Sequence, residues 1–223
     1  MPGFGAADKP ERFVYTVDGY ARHLGGVLEA LEVSRVHLVL HDFGGPWGLA
    51  WAADHPDRLA SLTMLNIGIL RDYPWHYLAR IWRTTGLGEA FMRTATLPAT
   101  RLLLNRGNPR GLPQEVLVRM YRNLKDPGVQ RAVLRLYRAT DAAAVSEYLH
   151  RRLQDVHPPT LVVWGAHDPY LPVRWAERQQ ETFPGARVVI LEDSGHWPMH
   201  DDPVAVELAV LPFLREVIGA RAA

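Results

Sequence analysis

Three side chains suited to nucleophilic catalysis each follow a short apolar segment. They are Asp42, after Val36–His41; Asp168, after Thr160–Trp164; and His196, after Arg187–Leu191. A carboxylate can attack an electrophilic carbon, and a histidine oriented by a second carboxylate can act as a general base. Taken singly, Asp42 could cap a helix or bind a metal, Asp168 could be a turn residue before proline, and His196 could be a surface histidine. Together they predict a nucleophile, acid and histidine in one site.

Four segments with strand character have to position these residues. They are short, apolar and rich in β-branched residues, without the alternation of a half-exposed strand; they are Val36–His41, Ala60–Leu65, Thr160–Trp164 and Arg187–Leu191. Helical patterns at Trp47–Ala53 and Val173–Thr182 alternate with them. Alternating strands and helices predict an α/β fold with a parallel, doubly wound sheet. The carboxyl ends of its strands meet at one edge, so the three side chains should converge there.

The stretch from Leu70 to His157 differs because it is rich in arginine and aromatic residues and contains no convincing strand. Its apolar residues recur at helical spacing, as at Val116, Met120 and Leu124. We expect a helical insertion over 70–157 between two parts of one core, 1–69 and 158–223. A closing helix is predicted from Val204 to Val217, after Asp202 as its N-cap.

The composition limits the classes of function. The chain has 223 residues with 25 basic and 24 acidic side chains, so no excess positive charge favours a nucleic-acid partner. It has no cysteine, which excludes thiolate chemistry and disulfides. No apolar run approaches the length of a membrane span, and we expect a cytoplasmic protein without membrane association. His200-Asp201-Asp202 is only a weak metal motif, so neither a metal nor a cofactor is expected.

Several short motifs distributed along the chain resemble those of one family. They are PGFG at 2–5, DKP at 8–10, HDFGGP at 41–46, WG at 164–165, DP at 168–169, SGHW at 194–197 and DP at 202–203. With the order nucleophile, acid, histidine, the chain resembles the α/β-hydrolase superfamily, specifically its branch of haloalkane dehalogenases and epoxide hydrolases. The resemblance implies an α/β-hydrolase core with about four parallel strands and a helical cap.

The resemblance also implies a two-step reaction. Asp42 would attack carbon and form an alkyl-enzyme ester, and His196, oriented by Asp168, would activate the water that hydrolyses it. The backbone N–H of Phe43 would donate to the oxyanion formed in the second step. The implied reactants are a small apolar molecule and water.

The substrate depends on where the sequence departs from the family. Dehalogenases of this type usually place tryptophan directly after the nucleophile, whereas Phe43 has no side-chain donor; Trp75 or Trp82 of the cap could replace it. Epoxide opening needs an acid for the alkoxide, and the candidates are Tyr73, Tyr77, Tyr121 and Tyr137. We expect a small apolar epoxide or related electrophile, with a haloalkane as the alternative. A different class of function is a non-catalytic remnant that binds an apolar ligand or a partner.

The start of the chain gives a further expectation. In the resembling families the Gly-Phe-Gly and Asp-Lys-Pro segment follows several strands, whereas here it begins at Pro2. We therefore expect a chain that lacks N-terminal strands and leaves Val36–His41 as an edge strand. Such an edge favours self-association, and we expect weak activity.

Overall fold

The computed structural model describes residues 1–219 and contains one four-stranded parallel sheet. Its strands are β1 (Val36–His41), β2 (Leu59–Leu65), β3 (Thr160–Gly165) and β4 (Arg187–Leu191). They lie side by side in chain order. The predicted α/β fold with about four parallel strands is confirmed.

Helices cover both faces of this sheet. On one face Leu40, Met64 and Trp164 belong to a large core shared with α1 (Val17–Ala30) and α2 (Gly44–Asp54). On the other face a smaller cluster joins strands β2 and β3 to the closing helix α11, which runs from Pro203 to Gly219. The Asp202 carboxylate accepts a 3.0 Å hydrogen bond from the Ala205 N–H, so Asp202 caps this helix as the sequence predicts. The last four residues of the predicted 158–223 segment lie outside the described part.

Six helices occupy the segment between β2 and β3. They are α3 (Tyr77–Arg83), α4 (Leu87–Thr94), α5 (Leu97–Asn105), α6 (Gln114–Lys125), α7 (Pro127–Ala139) and α8 (Ala142–Leu153). We refer to this helical insertion as the cap; its boundaries at 70 and 157 as a domain stay a prediction. The cap carries 15 of the 25 basic side chains but only 7 of the 24 acidic ones.

The region after β3 differs from the predicted helix over Val173–Thr182. The structure has a short α9 (Arg174–Glu177) followed by a 3₁₀ turn over Arg178–Glu181. The tighter turn brings the buried Gln179 amide against the backbone after β2, where it accepts from the Ile69 N–H at 2.7 Å and donates to the Ile69 carbonyl at 3.0 Å. A long-range hydrogen-bond requirement of this kind overrides local helix propensity. The last short helix, α10, runs from Pro198 to Asp201.

Strand β1 lies at one edge of the sheet. Within residues 1–219 it pairs only with β2, and the Val39 side chain in its middle is 49% exposed. Self-association through this edge stays a prediction.

Within residues 1–219, every helix is too short or too polar to cross a membrane. The cytoplasmic location stays a prediction.

Candidate active site

Asp42 occupies a tight turn between β1 and α2. Its φ is 49°, a left-handed conformation that is costly for a residue with a side chain. The turn is close against the core: a Cβ on Gly45 would lie 2.3 Å from Ile67 Cγ1, so only glycine fits there. The Phe43 N–H, at the start of α2, has no hydrogen-bond partner within residues 1–219. The turn therefore presents a carboxylate beside a free backbone donor at a helix N-terminus.

His196 lies between the two carboxylates. Its Nδ1 is 2.7 Å from Asp168 Oδ2, and its Nε2 is 3.4 Å from Asp42 Oδ2. The His196 backbone N–H donates to the Gly107 carbonyl at 2.8 Å, which ties its loop to the cap. The three side chains, which span 154 positions from Asp42 to His196, thus meet at the carboxyl edge of the sheet.

Asp168 accepts four hydrogen bonds. Oδ1 accepts from the backbone N–H groups of Tyr170 at 2.8 Å and Leu171 at 2.9 Å. Oδ2 accepts from the Asn66 side-chain amide at 2.8 Å and faces His196. Because every lone pair is directed by a fixed donor, the carboxylate has one orientation, which fixes the His196 imidazole.

The charges of this site shift the pKa of both active-site partners. Burial raises the pKa of Asp42, but the hydrogen bond and the positive charge of His196 outweigh burial and lower it to about 2. Burial lowers the pKa of His196, but Asp168 and Asp42 outweigh it and raise that pKa to about 10. The resting site therefore holds an imidazolium between two carboxylates.

His41 supports the loop that carries His196. Its Nε2 lies 2.8 Å from the His196 backbone carbonyl, which requires the imidazole to donate from Nε2. Burial, followed by repulsion from the His196 charge, lowers the pKa of His41 to about 4. His41 is therefore a neutral donor at pH 7 and positions the neighbouring backbone.

A cavity of about 550 Å³ lies between the cap and the sheet edge, and Asp42 and His196 line it. This size is ordinary for a small-molecule site. Most of its lining is apolar, including Ile67, Leu78, Phe91, Leu103, Met120 and Leu149. Within residues 1–219, no lysine or arginine side chain lines this cavity. The cavity therefore suits an apolar ligand without negative charge.

The structure separates the predicted cap contacts into two groups. Tyr73, Trp75, Trp82 and Tyr137 line the cavity, whereas Tyr77 and Tyr121 do not. Tyr77 is 45% exposed, and Tyr121 lies on α6 beside the Lys125 ammonium. These placements do not favour substrate contact for Tyr77 or Tyr121, because the Tyr77 ring packs outside the cavity against Tyr170, at 6.5 Å, and Tyr121 lies beside a lysine that does not line the cavity.

The four residues that line the cavity differ in their free hydrogen-bonding groups. The Tyr73 hydroxyl already donates to the Tyr170 carbonyl at 2.8 Å, and Trp82 Nε1 is buried without a partner within residues 1–219. The Tyr137 ring lies 4.9 Å from the Phe43 ring and 5.4 Å from the Trp75 ring. Its hydroxyl has no hydrogen-bond partner in the described part of the chain. Tyr137 is thus the best placed of the predicted tyrosines to donate to a substrate.

The sequence analysis missed three residues of this site. Asn66 holds Asp168, His76 lines the cavity at the start of α3, and the Tyr170 ring packs 5.0 Å from His196. Asn66 directly follows β2, so its position at the carboxyl edge was a usable signal. His76 and Tyr170 lie in loops whose folding the local sequence does not indicate.

The weak metal motif is explained by hydrogen bonds within the fold. Asp202 caps α11, and Asp201 Oδ2 accepts from the Gly195 N–H at 2.7 Å. Over residues 1–219, His, Asp and Glu side chains nowhere gather in a group of three that could hold a metal ion.

Comparison with known proteins defines the class of this protein. The family model for the alpha/beta hydrolase fold matches residues 1–203, and the chain belongs to this family. It is 27% identical over 205 residues to a 2-hydroxy-6-oxo-2,4-heptadienoate hydrolase of Pseudomonas putida, covering 88% of this chain and 70% of that protein. It is 29% identical over 216 residues to an uncharacterized protein of Mycobacterium tuberculosis, covering 90% of this chain and 62% of that protein.

Solved structures agree with the fold. A haloalkane dehalogenase from Bradyrhizobium elkani superposes with a TM-score of 0.84 at 22% identity, over 99% of this chain and 80% of that one. A meta-cleavage product hydrolase from Pseudomonas fluorescens gives a TM-score of 0.78 at 20% identity, over 97% of this chain and 78% of that one. At these identities the similarity shows the fold alone.

Proposed function

We propose that this protein is a cofactor-independent hydrolase in which Asp42 forms an alkyl-enzyme ester that a His196-activated water hydrolyses. The substrate is a small, neutral, apolar epoxide or related carbon electrophile. The observation that carries the proposal is the contact of His196 with both Asp168 and Asp42 at 2.7 and 3.4 Å. A side chain that contacts both carboxylates can act on an ester formed at Asp42.

The nucleophile favours attack on saturated carbon. A carboxylate oxygen that displaces a leaving group from carbon forms an ester, which water can cleave at its carbonyl. A serine in the same place would form an ether that water cannot cleave. The Phe43 N–H is placed to donate to the oxyanion of the ester's tetrahedral intermediate.

The lining of the cavity favours a neutral substrate. The relatives named for dienoate hydrolysis act on carboxylates, by their printed names. A carboxylate in this cavity would face the charge of Asp42 without an arginine or lysine among its lining residues, and burying an unpaired charge is costly. This supports an epoxide or haloalkane over a dienoate.

The proton balance of the site favours an epoxide. In step one the new bond joins Asp42 to carbon, the carbon–oxygen bond breaks, and the oxygen takes a proton from the Tyr137 hydroxyl. Esterification removes the negative charge of Asp42, so the pKa of His196 falls and its proton can restore Tyr137. In step two His196 takes one proton from the attacking water, the bond between the Asp42 carbonyl carbon and the alkyl oxygen breaks, and the departing alkoxide takes the other water proton. The imidazolium and the Asp42 carboxylate are thereby regenerated. The cycle closes without net proton exchange with solvent.

The alternative is a haloalkane dehalogenase. Trp75 favours it, because this residue lines the cavity beside Phe43 and its indole nitrogen has no hydrogen-bond partner within residues 1–219. A halide could accept from this N–H. Dehalogenation would release one proton for each halide, so the proton release distinguishes the two reactions.

The test is a single turnover in ¹⁸O-labelled water with a panel of epoxides and haloalkanes. The proposal expects label in the peptide that contains Asp42. His196→Gln should accumulate a stable adduct on that peptide, visible by intact mass, whereas His200→Gln should not. A normal turnover by His196→Gln would contradict the mechanism. Binding of the panel without label or adduct would instead identify a non-catalytic binding protein.

A further inference from the structure

We propose that His76 is a second hydrogen-bond donor for the leaving atom of the substrate, acting beside Tyr137. The inference rests on the proposed function and adds a residue to its first step. His76 immediately precedes α3 and lines the same cavity as Asp42 and His196.

Aromatic side chains fix the place of the His76 ring. It lies 5.0 Å from the Tyr170 ring, and the Tyr170 ring lies 5.0 Å from the His196 ring. It also lies 6.4 Å from the Tyr137 ring. His76 and Tyr137 are thus two polar side chains of the cap that share the cavity with the nucleophile.

The backbone fixes the tautomer of His76. Nδ1 accepts a 3.2 Å hydrogen bond from the Ala79 N–H and so caps α3. A neutral imidazole with an accepting Nδ1 carries its proton on Nε2. Within residues 1–219 this Nε2–H has no partner. A donor of fixed direction is therefore left free in the cavity.

The charge state agrees with this arrangement. Burial lowers the pKa of His76 to about 4, and the attraction of the Asp42 charge only partly opposes burial. The ring is neutral at pH 7. Protonation would abolish the acceptor at Nδ1 and release the Ala79 N–H, so the helix cap and the neutral donor require the same state.

A neutral donor has a defined use in the first step. As the Asp42–carbon bond forms and the bond to the leaving atom breaks, the electron pair and negative charge stay on that atom. His76 contributes a hydrogen bond to this charge and keeps its proton, while Tyr137 transfers one when the atom is an epoxide oxygen. Removing one preorganised donor of this kind costs roughly 10²- to 10³-fold in rate, and Tyr137 remains as a second donor when His76 is replaced. An oxygen that carries concentrated charge gains more from such a donor than a diffuse iodide.

The experiment uses His196→Gln as the parent protein, in which ester formation on Asp42 is followed by intact mass. The rate is measured with an epoxide and with an iodoalkane of the same carbon skeleton. His76→Ser is the informative variant, because a serine can still cap α3 but cannot reach the cavity. His76→Ala removes both roles.

The two variants should separate capping from donation. We expect His76→Ser to keep the parent melting temperature, to slow the epoxide about 10- to 100-fold and to slow the iodoalkane much less. His76→Ala should show the same rates with a lower melting temperature. A His76→Ser variant with the parent epoxide rate would reduce His76 to a cap, and equal slowing of both electrophiles would indicate displacement of the cap; either result overturns the inference. A parent that forms no ester with any electrophile overturns the proposed function itself, and the inference with it.

Discussion

The side-chain amide of Asn66 donates a 2.8 Å hydrogen bond to Asp168 at the same oxygen that faces His196. Asn66 is fully buried and has a φ of 45°. Its own oxygen accepts from the Gly165 N–H at 3.0 Å. Asn66, in a strained conformation at the end of β2, therefore links Gly165 of β3 to Asp168.

Removing this link should affect the second step of the proposed reaction. Asn66→Gly keeps a backbone that tolerates the left-handed conformation but leaves the buried Gly165 N–H without a partner and removes one of the two donors to Asp168 Oδ2. Each lost hydrogen bond costs about 1–3 kcal/mol, so we expect a lower melting temperature and roughly 10-fold slower ester hydrolysis. Alkylation should be unchanged. Rapid-quench kinetics separate the two steps, and Asn123→Gly, on α6, provides a destabilised control. Unchanged hydrolysis would mean that Asp168 is held by its backbone donors alone.

Asp168→Asn should reduce turnover by orders of magnitude, by analogy with serine triads. Four N–H donors converge on the two Asp168 oxygens, and an amide offers only one oxygen. We therefore expect a loss of stability as well, which urea denaturation would measure. Asp201→Asn, which alters the other buried carboxylate near the loop of His196, is the control for general destabilisation. Wild-type turnover of Asp168→Asn would show that another group orients His196.

Asp42→Asn should lower the pKa of His196. In the resting site this pKa is raised to about 10 by Asp168 and Asp42 acting against burial. An asparagine removes one charge and resembles the neutral ester, so the titration of the imidazole should move to lower pH. An NMR titration of the His196 ring protons measures this directly. An unchanged value would contradict the idea that esterification converts His196 into a base.

The stability of the protein should be greatest near pH 6.5. The pKa of His196 is raised to about 10, so its contribution is complete below the unfolded value of roughly 6.5 and is lost as the pH rises toward 10. The pKa values of His41 and His76 are lowered to about 4, so both destabilise the fold as the pH falls from 6.5 toward 4. Urea denaturation at pH 4.5, 6.5 and 9 should show this maximum. His196→Gln should flatten only the alkaline side of the curve of stability against pH. An unchanged curve would refute the assignment of the alkaline loss of stability to His196.

Phe43→Trp should shift the preference toward halides. Phe43 lines the cavity directly after Asp42, and an indole adds an N–H donor where the phenyl ring has none. We expect the rate of bromide release to rise relative to epoxide opening. Phe43→Leu is the matched control, because it adds no donor and loses the ring packing against Tyr137. If the ratio of the two rates stays constant, Phe43 does not determine the leaving group.

The features that the sequence predicts are those with local signals. Val36–His41 and Arg187–Leu191 have the predicted bounds, because short β-branched runs between turn residues admit few alternatives. The convergence of Asp42 and His196 followed from placing strand ends at one edge of a parallel sheet. The helical character of the cap followed from its periodicity, whereas its division into six helices was not predicted.

The features that escaped prediction depend on contacts between distant segments. Gln179 breaks a predicted helix because the backbone at Ile69, 110 positions away, needs its amide. Tyr77 and Tyr137 both lie on cap helices, and only the packing of those helices decides that Tyr137 alone enters the cavity. His76 reads as an ordinary loop residue until its Nδ1 is seen to cap α3.

The distribution of charge gives the protein a property that its net charge of +1 conceals. The cap has 15 basic and 7 acidic side chains, and the rest of the chain has 10 basic and 17 acidic ones. The cap therefore carries a net positive charge and the rest of the chain a net negative charge. At low ionic strength the protein should bind to cation exchangers and anion exchangers alike, each through a different face. Salt at about 0.1 M, where the Debye length is about 10 Å, should weaken both kinds of binding. Small anions near the protein should gather at the cap.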